Sequence, residues 1–394
     1  MFNSSRISNP NCTELITAIQ SVVGSEPVNL HEPSFEGKES DYLQDCVNSG
    51  YVSTIGEYVN RFEHLLAEYT GAKHAIAVVN GTSALHIALI LSGVKPGDEV
   101  LVPALTFVAT ANAVRYCNAI PHFVDSNEKN LGVDVDALRL YLSKNTISRQ
   151  GLCINKNTGR VIRAVVPMHT FGHPVDMIEM VDTAAEFGIE VVEDAAEALG
   201  TLYHGKHAGT FGRLGIFSFN GNKIITTGGG GAIVTNDSYL ASRARHLTTT
   251  AKISHGWEFV HDEIGYNYRL PNLNAALGCA QIETIEEKVL RKRRLHESYK
   301  IAFDQVKGVS IFDEPSHARS NYWLNALITS EKTQSKIIEE TNKIGIKTRP
   351  PWTLLSELKI FSNSPRMEIR TSRKLANSIV NLPSSSWLSE ISGR

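Results

Sequence analysis

A single lysine, Lys223, stands between a strand-like run and four consecutive glycines in SFNGNKIITTGGGGAIVT (Ser218–Thr235). An ammonium group set in so much bare backbone is either a surface charge or a nucleophile held for a carbonyl. To react, it must lose its proton, which partial desolvation and nearby positive charge make easier. Upstream, VVEDAAEALG (Val191–Gly200) ends an apolar run in Glu193 and Asp194, with Glu197 following. A carboxylate at the carboxyl end of a strand either caps the next helix or holds a protonated ring nitrogen. NGTSALHIAL (Asn80–Leu89) places Gly81, Thr82 and Ser83 where a helix opens, as a plain cap or as a seat for phosphate. PALTFVATANA contributes the aromatic Phe107, and GIFSFNGNK adds the hydroxyl of Ser218. EIGYNYRLPNLNAALG (Glu263–Gly278) sets Asn267 and Arg269 just before another helix.

Phosphate donors, a carboxylate, an aromatic ring and a lysine form one coherent set. They suit pyridoxal 5'-phosphate, whose phosphate, pyridine nitrogen, ring face and aldehyde each need one partner. In that reading the lysine forms the Schiff base, one of these carboxylates keeps the pyridine protonated, and the glycine run lets backbone approach closely.

The elements that must position these groups alternate. Short β-branched runs are expected as strands at His74–Val79, Glu99–Val102, Ile120–Val124, Val161–Pro167, Glu190–Glu193, Gly215–Phe219 and Gly231–Val234. Their near-continuous apolar character suits strands covered on both faces. Helices are expected at Thr82–Ser92, Val108–Cys117, Val175–Phe187 and Tyr239–Leu247. The pattern predicts an α/β fold with a mostly parallel seven-stranded sheet over residues 50–260, whose ligands gather at the carboxyl edge. Residues 261–394 read as a smaller α+β domain: one long helix from Leu273 to about Phe303, a strand at Trp323–Ile328, and helices at Gln334–Ile344 and Arg370–Val380. Residues 1–49, with a helix from Lys38 to Asn48, are expected to pack on that smaller domain.

The chain has 394 residues, 42% hydrophobic and 20% charged, enough for two domains sharing a large core. A net charge of −2 argues against a nucleic-acid binder. Five scattered cysteines without a CxxC read as reduced thiols of a cytoplasmic protein. No leader pattern is visible, and the most apolar stretch, VLVPALTFVATANAV, is too short and too polar for a membrane span. HTFGH (His169–His173) lies in a loop without a third ligand, so no metal site is expected. The run RKRRLH (Arg291–His296) reads as a solvated helix face.

The motifs GTSALHIAL, PALTFVATANA, EDAAEALG, FSFNGNK…TTGGGG and GYNYRLPNLNAALG, in that order, resemble the nucleotide-sugar aminotransferases of the DegT family, fold-type I pyridoxal phosphate enzymes. The resemblance runs from LHEPSFEGKE to NLPSSSWL. It implies that Lys223 and Asp194 are catalytic. It also implies that Gly81, Thr82, Ser83 and Ser218 surround the phosphate, that Phe107 stacks on the ring, and that Glu197 lies near the ring's 3-oxygen, where many relatives have glutamine. Asn267 would reach the phosphate of a neighbouring subunit, making a homodimer with interfacial sites.

HEPSFEGKESDYLQDCVNSGYVSTIGEYVNRFE and TRPPWTLLSELKIF resemble the branch that aminates C4 of 4-keto-6-deoxy nucleotide sugars for legionaminic-acid and bacillosamine-type surface glycans. That implies L-glutamate as donor and UDP-2-acetamido-2,6-dideoxy-4-hexulose as acceptor. Alternatives are GDP-4-keto-6-deoxymannose, giving GDP-perosamine, a C3-keto sugar, or a non-catalytic cofactor-binding regulator. Ser356 stands where that branch would have a histidine. His255, Arg269, Tyr322 and Arg349 are candidate substrate contacts, with Arg245, His246 and Lys252 further candidates for a diphosphate. Tyr322 and Trp323 either stack on the base or fill a core, and the core is the favoured reading.

Overall fold

The computed structural model describes residues 11–391; the first ten residues of the N-terminal segment, the last three of the chain, and any expectation about them lie outside it. The elements, in order, are α1 (Cys12–Val23), α2 (Glu39–Ser49), α3 (Glu57–Thr70), β1 (His74–Val78), α4 (Gly81–Leu91), β2 (Glu99–Pro103), α5 (Val108–Tyr116), β3 (Ile120–Val124), α6 (Val135–Asn145), β4 (Thr146–Arg149), β5 (Leu152–Asn155), β6 (Val161–Val165), α7 (Met177–Phe187), β7 (Glu190–Asp194), β8 (Leu202–Tyr203), β9 (Lys206–His207), β10 (Leu214–Ser218), β11 (Gly231–Thr235) and α8 (Ser238–Thr248). Then follow α9 (Asn272–Glu283), α10 (Ile285–Phe303), β12 (Ser310–Ile311), β13 (Ala318–Arg319), β14 (Asn325–Ile328), α11 (Glu331–Lys343), α12 (Arg370–Ala376) and β15 (Ile379–Leu382).

Seven strands form the path β1-β11-β10-β7-β6-β2-β3, and the β4–β5 hairpin extends it from β6. The pairs β10–β7, β7–β6, β6–β2 and β2–β3 are parallel. β11 runs antiparallel to both neighbours, β1 and β10. That reversal brings its first residue, Gly231, into register with Val78 and Ser218 at the ends of those strands. The glycine run therefore opens at the same sheet edge as the carboxyl ends of the parallel strands. The strands are buried on both faces, as their continuous apolar sequences require.

Helix starts are set by side-chain caps. Asn80 Oδ1 accepts from Ser83 N at 2.8 Å to open α4, and Asp237 Oδ1 accepts from Tyr239 N at 2.9 Å to open α8. The apolar face of α1 joins one core with Leu295, Tyr299, Leu327 and Ile337 of the smaller domain.

The expected helix Leu273–Phe303 is two helices. Thr284 (φ −112°, ψ 6°) breaks the ladder between α9 and α10, although apolar residues keep one period across the break. The expected helix Arg370–Val380 ends at Ala376, because Ile379–Leu382 pairs with β14 instead. The run Arg291–His296 is not a solvated face. Lys292 and His296 are 1% and 3% exposed, and Arg291 and Arg293 are tied to Glu36 and Glu314. Among the described residues no helix is long and apolar enough to cross a membrane.

Candidate active site

A cavity of about 220 Å³ opens at the carboxyl edge of the sheet, and Lys223 lies within its lining. Lys223 Nζ is 3.3 Å from Glu197 Oε1 and 4.0 Å from the centroid of the Trp323 ring. Glu197 Oε2 accepts from Phe171 N at 2.9 Å. Burial, partly offset by Lys223, pushes the Glu197 carboxyl up to about 7.

Asp194 also faces the cavity, 4% exposed. Its oxygens accept from Thr110 Oγ1 at 2.9 Å and from Ala196 N at 3.2 Å. Thr106 Oγ1 lies 3.0 Å from Thr110 Oγ1 and extends this chain of hydroxyls. Burial raises the Asp194 carboxyl above its ordinary value despite these hydrogen bonds. Strand alternation sends the preceding acid the other way: Glu193 is fully buried and accepts from Gly209 N, Gly212 N and His169. Of this acidic pair, only Asp194 is available to a ligand.

Gly81 and Thr82 line the cavity at the start of α4, beside Ser218. A Cβ on Gly81 would meet Ser218 Cβ at 3.0 Å, and one on Gly231 would meet the carbonyl carbon of Asn80 at 2.5 Å. Bare backbone is what lets β11, β10 and α4 converge here. Ser83 does not line the cavity; its amide is taken by the Asn80 cap, which leaves the Ser83 contact unsupported in this structure. Phe107 is 52% exposed and lines the cavity, where its ring is open to a flat partner.

The substrate candidates separate. Arg349 lines the cavity, and its buried Nε has no hydrogen-bond partner. Arg269 does not reach it: its guanidinium is buried against Glu63 of α3 and the carbonyl of Ala77. Tyr322 is a core residue, 2% exposed, stacked on His296 with its hydroxyl donating to Asp313. The neighbouring Trp323 lines the cavity in its place. His255 and Asn267 lie away from the cavity of their own chain, on an exposed segment that also carries Trp257, Phe259 and Ile264. Arg245 and His246 are occupied by Glu63 and Asp262. Ser356 is buried outside the lining. His169 and His173 are buried against Glu193 and Ser320. Neither belongs to the one possible metal-ligand group among the described residues, the partly exposed His246–Asp262–Glu263.

Sequence reasoning did not single out Thr110 or Trp352. Thr110 carried a signal, since Thr106 and Thr110 stand four apart around the first turn of α5.

The donor set fits pyridoxal phosphate. A lysine amine, a buried carboxylate beside it, an uncovered phenyl ring and a helix start crowded by glycines occupy one cavity. An α/β sheet with this site at its carboxyl edge and a smaller α+β domain beside it defines a fold-type I pyridoxal phosphate-dependent enzyme.

Residues 33–392 match the DegT/DnrJ/EryC1/StrS aminotransferase family, and the chain belongs to that family. It is a pyridoxal phosphate-dependent aminotransferase. It is 39% identical over 335 residues to EpsN of Bacillus subtilis (strain 168), named as a pyridoxal phosphate-dependent aminotransferase, covering 85% of this chain and 84% of EpsN. It is 36% identical over 338 residues to a GDP-perosamine synthase of Escherichia coli O157:H7, covering 85% and 87%. The crystal structure of the aminotransferase TlmJ from Streptoalloteichus hindustanus superimposes with a TM-score of 0.82 at 25% identity, covering 93% of this chain and 97% of that one.

Proposed function

We propose that the protein transfers an amino group from L-glutamate to C4 of a nucleotide-linked 4-keto-6-deoxy sugar destined for a surface polysaccharide. The observation that carries the chemistry is the position of Lys223 Nζ, in the same cavity as Asp194, Phe107 and the start of α4.

Pyridoxal phosphate, when bound, supplies an electron sink. Lys223 Nζ would hold the cofactor aldehyde and, as a free amine, would be placed to move a proton at the reacting carbon. Asp194, fixed by Thr110 and Ala196, offers its carboxylate to the ring nitrogen, and a cation there relieves its burial. Phe107 would cover one ring face. Gly81, Thr82 and Ser218 would cradle the phosphate, and Asn267 would arrive from a second copy of the chain. Glu197, 3.3 Å from Lys223 Nζ, would face the ring, and Trp323 and Trp352 would help to exclude water. Donor and acceptor take turns at one site, which predicts ping-pong kinetics.

For the acceptor, the segments HEPSFEGKES and TRPPWTLLSELKIF favour UDP-2-acetamido-2,6-dideoxy-4-hexulose. Relatives named GDP-perosamine synthase, at 36%, 34% and 32% identity, favour GDP-4-keto-6-deoxymannose as the second reading. Incubating the purified protein with L-glutamate and each keto sugar, and weighing the products, separates the two. An amine from the UDP sugar alone supports the first reading, and one from the GDP sugar alone replaces it with the second. Failure to aminate either sugar sinks both. Borohydride reduction followed by peptide mapping should leave the cofactor on Lys223.

A further inference from the structure

Lys223 faces an indole as well as a carboxylate. Its Nζ lies 4.0 Å from the centroid of the Trp323 ring, and that ring is buried, with one side lining the cavity. Trp323 is pinned at three points. Its Nε1–H donates to the carbonyl of Asn222, the residue before Lys223, at 2.7 Å. Its backbone N–H donates to Asn321 Oδ1 at 2.8 Å, and its carbonyl accepts from buried Lys292 Nζ at 3.1 Å. Asn321 in turn donates to the carbonyls of Glu197 and Leu199, both at 2.8 Å. One loop, Asn321–Trp323, is thus tied to the backbone that carries each partner of the Lys223–Glu197 pair.

We propose that Trp323 is a positioning residue for Lys223: its ring face holds Nζ in the cavity and favours the charged ammonium over the neutral amine. An aromatic face attracts a cation through its quadrupole and has no comparable attraction for a neutral amine, and the effect grows where water is excluded. The inference deepens the reading of Lys223 as the reactive amine and rests on it. Other charged and titratable groups surround this site. Asp194 ends β7 and Glu197 follows it, and Arg349 comes from the segment after α11. His31 of the N-terminal segment has its ring centroid 6.5 Å from that of Trp323, and Lys292 and Lys288 of α10 lie near His31. All of these groups remain when Trp323 alone is changed.

The test uses the cofactor-free full chain. Acetylation of Lys223 by acetic anhydride, read by peptide mass spectrometry across pH, gives the midpoint of its titration. Trp323→Leu should lower that midpoint by about one pH unit, a tenfold gain in labelling below the midpoint, equivalent to about 1.4 kcal/mol. Trp323→Phe keeps an aromatic face and should move it less than half as far. An unchanged midpoint in the leucine variant, or equal shifts in both, would overturn the proposal. Because loss of a buried indole costs stability, a second series keeps the shape: fluorinated tryptophans incorporated in a Trp352→Phe background. Fluorine drains the ring face while the Nε1–H stays, so the midpoint should fall stepwise with each fluorine; a flat series overturns the proposal. Adding pyridoxal phosphate tests the functional reading separately. A Lys223 left unprotected from labelling would remove the cofactor assignment, while the two midpoint series would still decide the role of Trp323.

Discussion

The Lys223 ammonium and the Glu197 carboxylate form an ion pair at 3.3 Å inside the cavity, with side chains 13% and 2% exposed. Removing two charges from water costs several kcal/mol each, and the pair recovers part of that cost only while it stays together. The arrangement holds the amine among the groups it would serve. It also leaves a carboxyl in a place that burial makes uncomfortable for charge.

That discomfort fixes a pH dependence. Glu197 is raised from 4.5 to about 7 in the folded chain, so between those values the native state holds a proton that the unfolded chain has released. Stability from this group is therefore lost as pH rises through about 7. Glu197→Gln carries no such charge. Relative to wild type, the cofactor-free glutamine variant should gain about 3 °C or more in melting temperature at pH 8 compared with pH 5. Parallel melting curves across pH would contradict the assignment.

In the proposed reading, Lys223→Ala removes both the attachment point and the proton carrier. Turnover should drop by more than about 10³-fold, because a positioned base alone contributes 10²–10⁴-fold. Added small amines should restore part of the rate if the cavity is otherwise intact. Steady-state assays with and without methylamine check both halves of the claim; near-normal unaided turnover would refute it.

The parts legible in sequence were those with a local cause. Strand runs, helix caps and the order of the motifs placed Lys223, Asp194, Phe107, Gly81, Thr82 and Ser218 around one cavity. Losses came from partners far away in the chain. Arg269 reads as an available cation until Glu63, 206 residues earlier, takes its guanidinium. Tyr322 and Trp323 are neighbours with opposite surroundings, one in a core stack and one on the cavity wall, and no composition rule tells which faces which way. The break at Thr284 is invisible to periodicity because Ile282, Ile285 and Val289 stay buried on both sides of it.

Asp194→Asn keeps the shape of the side chain and deletes its charge. A neutral amide cannot hold a protonated ring nitrogen, so single-turnover amine transfer from glutamate should slow about 10²-fold or more. Thr110→Val removes one hydrogen bond to the carboxylate, worth about 1.5–3 kcal/mol when the acceptor is charged, and should slow the same step by about tenfold to a hundredfold. Rapid-mixing absorbance measurements with glutamate distinguish the two. A threonine effect as large as the asparagine one would mean that Thr110 acts by more than tuning Asp194.

Gly231→Ala asks whether the glycine run is structural punctuation or part of the phosphate cradle. The new Cβ would lie 2.5 Å from the carbonyl carbon of Asn80 and 2.6 Å from the amide nitrogen of Gly81. Those are backbone atoms and cannot swing aside as a side chain can. The start of α4 must shift or β11 must separate from β1, so a loss of about 1–3 kcal/mol is expected, as for other overpacked cores. Pyridoxal phosphate affinity should fall with it, because Gly81 and Thr82 sit where the strain is released. By contrast, Gly221 has open space around its Cβ position, so Gly221→Ala should leave both quantities within error. Comparing melting temperature and cofactor titration for the two variants separates crowding at one point from a general intolerance of side chains near Lys223. Equal affinity in both would detach the cradle from Gly231.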